Sequence, residues 1–198
     1  HTASPPNVDN YEGELVFSEN DLQLRYQELS PSGIVDLVVI GCPQASVGEV
    51  RTTASYVRSK MENGEIISDN RLWIFTSGHN YDILESDGTV DLLEEAGALV
   101  LKDTCPEVTP YNRNKYNHIL TNSLKAEHYL TSGLNKMPTS VSTISDCVDH
   151  AFNPNLINSP RPTLDSIIVK PMHSNKTHRT GSLKINGKSL PSQKEWLI

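Results

Sequence analysis

The stretch IVDLVVIGCPQAS, residues 34–46, decides the fold of this 198-residue chain. Its first part is almost continuously apolar and rich in β-branched side chains, which is typical of a parallel strand buried on both faces. Gly41 ends the strand, and SVGE, residues 46–49, has the pattern of a helix capping box. Apolar residues then recur at helical spacing over residues 47–61. Cys42 is therefore expected in a turn between a strand and a helix.

Two further segments repeat this pattern. RLWIF, residues 71–75, and ALVLK, residues 98–102, predict buried strands, and the residues between them predict an interrupted helix over 81–96. The other expected helices cover residues 18–29 and 121–130. This alternation predicts an α/β fold in which helices flank a parallel sheet.

The carboxyl ends of the predicted strands carry residues that suit a ligand site. Cys42, Ser77 and Cys105 each follow one of the three strands. Crossovers between parallel strands are normally right-handed, so these residues are expected along one edge of the sheet, where α/β proteins bind ligands.

Charge is distributed unevenly along the chain, whose net charge is −7. Residues 1–153 carry 10 basic and 22 acidic side chains, and residues 154–198 carry 7 basic and 2 acidic ones. The acidic body argues against nucleic acid as a partner. No apolar run approaches the roughly 18 residues of a membrane span, so no membrane role is expected. Because the chain begins at His1, we interpret it as a fragment or a processed product; the compartment stays open, with the cytoplasm favoured.

The three cysteines, Cys42, Cys105 and Cys147, have no CxxC spacing and form a poor disulfide framework. We expect reduced thiols. Their spacing alone leaves two alternatives open, which are small buried core residues and ligands of a metal cluster.

Several motifs, in this order, resemble the catalytic region of the aconitase X family. They are GCPQAS at 41–46, TS at 76–77, DTC at 103–105, TNSLKAEHY at 121–129 and DC at 146–147. The resemblance covers residues 17–152. It implies aconitase-like layers in a partial catalytic domain, residues 1–153. An unmatched tail that is extended or disordered, residues 154–198, is expected to follow as an irregular extension.

The aconitase X family comprises iron–sulfur hydro-lyases, such as the dehydratases of mevalonate 5-phosphate and of cis-3-hydroxy-L-proline. The resemblance implies that Cys42, Cys105 and Cys147 bind a 2Fe–2S or 4Fe–4S cluster. Three thiolates on a cubane cluster leave one iron open, and that iron can act as a Lewis acid on a substrate hydroxyl. The implied reaction removes water from a small hydroxy acid.

Polar residues of the same motifs are candidates for catalysis and substrate binding. Ser46 either presents its hydroxyl to the substrate, or only caps its helix, or does both. Ser123 and Lys125 open a helix and suit a carboxylate or a phosphate. The other candidates are His128 for proton transfer and Ser77, Asn122 and Tyr129 for substrate binding. His128 and Tyr129 are open to a second interpretation, as a supporting pair outside the reaction.

Three further polar residues have expected places of their own. Asp103 is expected to accept backbone N–H bonds and so to orient the Cys105 loop. His79 is expected at the surface. Gln44 stands where the family usually has histidine, so an amide hydrogen bond replaces any role of an imidazole.

The family's catalytic region extends upstream of this chain, and a small swivelling domain or subunit normally closes over the site. Neither is recognisable in this chain, and the expected partners are the small swivelling domain or subunit and a small hydroxy acid. Two alternatives remain beside the hydro-lyase. In the first alternative, the chain is a truncated or degenerate relative without activity. In the second, it is a thiol enzyme in which a helix N-terminus stabilises the thiolate of Cys42.

Overall fold

The structure, a computed structural model, describes residue 16, residues 18–156 and two short strands at 184–185 and 188–189. Its contacts divide the chain into two compact units. One comprises residues 26–167, and the other comprises residues 1–25 together with 168–198. Most of the predicted tail, residues 154–198, lies outside the described residues.

The unit of residues 26–167 is built on a parallel sheet of five strands. These are β1 (Leu37–Ala45), β2 (Leu72–Thr76), β3 (Leu99–Lys102), β4 (Ile119–Thr121) and β5 (Thr139–Val141), in the order β3-β2-β1-β4-β5. Val39 of β1 is in register with Trp73 of β2 and Thr121 of β4, so β1 is the central strand. The predicted α/β fold with a parallel sheet is confirmed.

The described helices include all those expected from the sequence, and α6 in addition. They are α1 (Glu19–Leu29), α2 (Val47–Met61), α3 (Gly78–Ser86), α4 (Thr89–Glu95), α5 (Leu124–Ser132) and α6 (Ile144–Phe152), with a single 3-10 turn at Ser68–Asn70. The interruption predicted within residues 81–96 is the break between α3 and α4, where Gly88 adopts a left-handed conformation. In the unit of residues 1–25 and 168–198, β6 (Lys184–Ile185) pairs antiparallel with β7 (Lys188–Ser189).

Two hydrophobic clusters cover the two faces of the sheet. Successive strand residues point to opposite faces, and the buried side chains of β1 alternate accordingly. Val38 and Ile40 pack in a cluster with buried residues of α2, α3, α4 and α6. Leu37 and Val39 pack in a second cluster, to which α5 contributes Ala126 and Leu130. Continuous burial of β1 on both faces explains why its sequence is apolar without alternation.

The carboxyl end of β1 is irregular at the cysteine motif. The strand runs on to Ala45, with a shift in register after Ile40, whereas the sequence predicted that it ends at Gly41. Gly41 has a φ of 98°, and a Cβ atom there would overlap the carbonyl oxygen of Phe75. Only glycine satisfies this combination of backbone angle and close approach.

Within residues 35–153, β4, β5 and α6 had no prediction from the sequence. The two strands are three residues long, which is too short for a periodic signal to emerge. Among the described residues, no helix is long and apolar enough to span a bilayer.

Candidate functional site

Two of the three thiols lie near each other at the carboxyl edge of the sheet. Cys42 and Cys105 are both half-buried, and each lies within electrostatic range of the other. The loops that carry them are in contact, because Gln44 donates from Nε2 to the carbonyl oxygen of Thr104 over 3.4 Å. The predicted meeting of these two motifs at one edge is confirmed.

Local charges act in opposite directions on Cys42. Burial raises the pKa of its thiol most, and the neighbouring Cys105 and Glu107 raise that pKa further. Lys125 and a hydrogen bond with Ser123 lower the pKa, but the net direction is upward. Burial therefore outweighs the favourable electrostatics of Lys125 and Ser123, and a role of the helix N-terminus in stabilising the Cys42 thiolate stays a prediction.

Side chains of neighbouring residues hold the Cys105 loop in place. Thr109 donates from its hydroxyl to the carbonyl oxygen of Cys105, and Tyr111 donates to that of Pro106, both over 2.9 Å. Asp103 accepts a 2.7 Å bond at Oδ1 from the backbone N–H of Gly78, which opens α3. The prediction that Asp103 accepts a backbone N–H is confirmed, although the bond reaches the neighbouring strand-to-helix turn.

Glu107 was missed by the sequence analysis. Its Oε1 accepts the backbone N–H of Leu134, and its carbonyl oxygen accepts from the side chain of Asn135. Glu107 thus joins the Cys105 loop to the segment that follows α5. Its Oε2 is buried and has no hydrogen-bond partner within the described part of the chain. A single glutamate after a proline in a loop gave no signal that could have identified it.

The third thiol lies elsewhere. Cys147 is in the second turn of α6, is 0% exposed, and packs with Val38 and Val148 on the sheet face opposite to the cluster that Cys42 contacts. Burial raises the pKa of its thiol strongly, and Asp146 adds to the effect. The structure does not bring Cys147 to the other two cysteines.

The two serines that follow β1 and β2 cap helices. Ser46 and Glu49 form the predicted capping box at α2, with the Ser46 hydroxyl and backbone N–H both bound to the Glu49 carboxylate. Ser77 accepts the backbone N–H of Asn80 at the start of α3. The capping role of Ser46 is confirmed, and a contact of either serine with substrate stays a prediction.

The first turn of α5 supplies the other candidates at this edge. Ser123 is its N-cap and also donates to the carbonyl oxygen of Cys42 over 3.2 Å. Lys125 is exposed and close enough to lower the pKa of Cys42. Asn122 has a buried Oδ1 without a hydrogen-bond partner among the described residues.

His128 and Tyr129 lie farther along α5, and both are exposed. Their rings contact each other edge to face, with 5.4 Å between centroids. Proton transfer by His128 and substrate binding by Tyr129 stay predictions. His79 is exposed, as predicted. Within the described residues, no group of three His, Cys, Asp or Glu side chains is arranged to hold a metal ion.

Comparison with known proteins explains this arrangement of motifs. The family described as "Aconitase X third domain" matches residues 35–153, which is more than half of the chain. The chain belongs to the aconitase X family. The matched region begins just before β1 and ends just after α6, so it contains the whole five-stranded sheet.

Aconitase X relatives include named dehydratases. The phosphomevalonate dehydratase large subunit of Methanocaldococcus jannaschii is 37% identical over 97 residues, which are 49% of this chain and 23% of that protein. The cis-3-hydroxy-L-proline dehydratase of Hypocrea jecorina is 28% identical over 123 residues, or 59% of this chain and 19% of that protein. This chain therefore spans about a quarter of the length of the curated relatives it matches.

A solved aconitase X structure has the same fold. The holo-form from Thermococcus kodakaraensis superposes with a TM-score of 0.61 at 22% identity, covering 74% of this chain and 37% of that one.

The residues present fit only part of a three-thiolate site. Cys42 and Cys105 are soft donors on two loops that contact each other at one sheet edge, which suits iron–sulfur ligands. Cys147 is a core residue on the other face of the sheet. The set of three ligands implied by the family resemblance is therefore not assembled by the described part of this chain.

Proposed function

We propose that this chain is the third-domain segment of an aconitase X hydro-lyase that removes water from a small hydroxy acid. The observation that carries the proposal is the meeting of Cys42 and Cys105 beside the first turn of α5. Its family membership and the names of its relatives support the same reaction class. The rest of the site, including a small swivelling domain or subunit, would come from segments outside this chain.

Cys42 and Cys105 would supply two thiolate ligands of an iron–sulfur cluster. When bound, such a cluster supplies a Lewis acid for the leaving hydroxyl. Because burial and the charge of Glu107 both raise the pKa of Cys42, its thiolate needs a nearby positive charge. Lys125 provides one such charge at the same edge.

The start of α5 is the part of the site that suits the acid group of a substrate. Backbone N–H groups at a helix N-terminus favour anions, and the ammonium of Lys125 adds a positive charge there. Asn122 has a buried side-chain oxygen in need of a donor, which a substrate hydroxyl or ammonium could provide. A phosphorylated mevalonate and a hydroxyproline both carry a carboxylate for this position, so these groups do not separate the two substrates.

A second candidate is a relative that keeps the fold without the activity. It is favoured by one observation, the burial of Cys147 away from the other thiols. In this alternative, Gln44 has only the structural role seen in its bond to Thr104.

Anaerobic reconstitution of the chain with iron and sulfide tests the proposal. We expect bound iron, acid-labile sulfide and visible absorbance, and we expect Cys42→Ala and Cys105→Ala each to lose them. Cys147→Ala serves as the matched control, because it removes a thiol without touching the carboxyl edge, and it should keep the cluster. A colourless wild-type chain would favour the inactive relative. A cluster that survives both Cys42→Ala and Cys105→Ala would refute the proposed ligands.

A further inference from the structure

A cavity lies at the amino edge of the sheet, at the opposite end of the strands from the two neighbouring thiols. Its volume is about 260 Å³, and its lining includes residues that precede β1, β2 and β4. Four of them are charged, namely Asp36, Asp69, Arg71 and Lys115. All of the lining residues belong to the unit of residues 26–167, and the proposed hydro-lyase function uses none of them.

Arg71 is the buried charge of this cavity. Arg71 is 6% exposed, and within the described residues its guanidinium binds only backbone carbonyl oxygens, from Nε to that of Asp36 over 3.2 Å and from Nη2 to that of Val35. Its Nη1 is shielded from solvent and has no hydrogen-bond partner among the described residues. A buried guanidinium N–H group without an acceptor is unfavourable, so this donor has an unmet requirement for an oxygen atom.

Lys115 adds a second positive charge on the solvent side of the cavity. Its Nζ donates to the carbonyl oxygen of Asp69 over 3.2 Å. Neither Lys115 nor Arg71 forms an ion pair with a carboxylate in the described part of the chain. Ser68, one residue before Asp69, lines the same cavity and offers a hydroxyl.

Two carboxylates also line the cavity, yet they do not neutralise Arg71. Asp36 turns its Oδ2 toward the backbone N–H groups of Asn117 and His118, at 2.9 and 3.1 Å. Burial lowers the pKa of Arg71, and Asp36 and Asp69 raise it by less, so the net direction is downward. Burial of Arg71 therefore outweighs the attraction of the two aspartates, and neither aspartate forms an ion pair with the guanidinium in the described part of the chain.

We propose that this cavity binds a small oxyanion, through oxygen atoms that accept hydrogen bonds from Arg71 and Lys115. Carboxylate and phosphate share the required chemistry, because both present oxygen atoms that match the planar guanidinium. Because Nη1 is shielded, binding turns the guanidinium toward the cavity and supplies the acceptor that Nη1 lacks. This site is independent of the thiol edge, and its existence does not rest on the proposed function.

Nitrogen-15 NMR titration of the full chain tests the proposal, with acetate and inorganic phosphate as the two probes. Ionic strength is held constant with sodium chloride. We expect saturable shifts of the Arg71 Nε–H resonance and of the backbone amides at residues 68–70 and 115–116. Saturation by acetate alone assigns the site to carboxylates, saturation by phosphate alone assigns it to phosphates, and both results support an oxyanion site.

Lys115→Gln is the decisive variant, because it leaves the backbone contacts of buried Arg71 intact. We expect it to raise the dissociation constant about tenfold, as the loss of one charge-assisted hydrogen bond implies. Lys102→Gln, which removes an exposed charge at the opposite edge of the sheet, is the matched control and should not change the affinity. The proposal is overturned if neither anion causes saturable shifts at Arg71, or if both variants bind with wild-type affinity.

Discussion

The Ser123 hydroxyl donates a 3.2 Å hydrogen bond to the carbonyl oxygen of Cys42 and accepts another from the backbone N–H of Ala126. A single side chain thus caps α5 and joins the first turn of that helix to the irregular end of β1. Because Lys125 is in the same turn, this connection also keeps a positive charge close to the Cys42 thiol.

Replacing Ser123 with alanine should destabilise the fold by about 1 kcal/mol, the usual effect of losing an N-cap side chain. Urea unfolding followed by circular dichroism measures the change. Ser55→Ala is the matched control, since Ser55 is an exposed serine within α2 and alanine is the better helix former there. Equal losses of stability in the two variants would contradict the capping role of Ser123.

The three thiols should differ in reactivity toward a thiol reagent in the native chain. Cys42 and Cys105 are half-buried and should react under native conditions, whereas Cys147 is fully buried, with its pKa raised by burial, and should react only after unfolding. A time course with Ellman's reagent, with and without denaturant, counts the thiols that react in the native chain and those that react only after unfolding. In Cys147→Ala, the slow class should disappear and the native count should stay the same. Three equal rates in the native wild-type chain would contradict the placement of Cys147.

The sequence predicted one side of the sheet, the adjacent strands β3, β2 and β1, and missed the other side, β4 and β5. β1, β2 and β3 have continuous apolar runs, which bury most of β1 and β2 and part of β3, and such runs are visible without a structure. In contrast, β4 and β5 have three residues each and depend on pairing with their neighbours. Their existence therefore follows from tertiary contacts that no local pattern shows.

The candidate site was likewise predicted only in part. Cys42 and Cys105 were placed together by the topology of parallel strands, which is a physical rule, and the structure brings them together. Cys147 was grouped with them by motif alone. Its helical spacing to Val148 and Ala151 marks the buried face of α6, and that pattern predicts a core residue.

Gly41→Ala should destabilise the fold by more than about 2 kcal/mol, because a side chain at this left-handed position is strained and its Cβ atom would overlap the carbonyl oxygen of Phe75. Gly33→Ala is the control, since a Cβ atom there would meet no atom within 4 Å. Denaturant midpoints of the two variants measure the difference. A near-neutral effect of Gly41→Ala would mean that the end of β1 is not built as described.

Stability should fall as the pH drops below the ordinary pKa of histidine, because His150 is buried in the core. Burial lowers the pKa of His150 from 6.5, and the nearby Asp146 and Asp149 only partly oppose this effect. The unfolded chain therefore binds the proton more readily than the folded chain does. The contribution of neutral His150 to stability is complete above the unfolded pKa, and it is lost as the pH falls toward the lower, folded value.

Urea midpoints measured from about pH 7.5 down to about pH 5.5 follow this loss. We expect His150→Leu to flatten the slope over that range, whatever its effect on stability at neutral pH, because the variant has no proton to take up at this position. His79→Gln removes an exposed imidazole and should keep the wild-type slope. Carboxylates whose pKa is lowered in the fold, such as Asp87, titrate at lower pH and affect all three proteins alike. If the slope is the same in His150→Leu as in the wild type, His150 is not the group that couples folding to proton uptake.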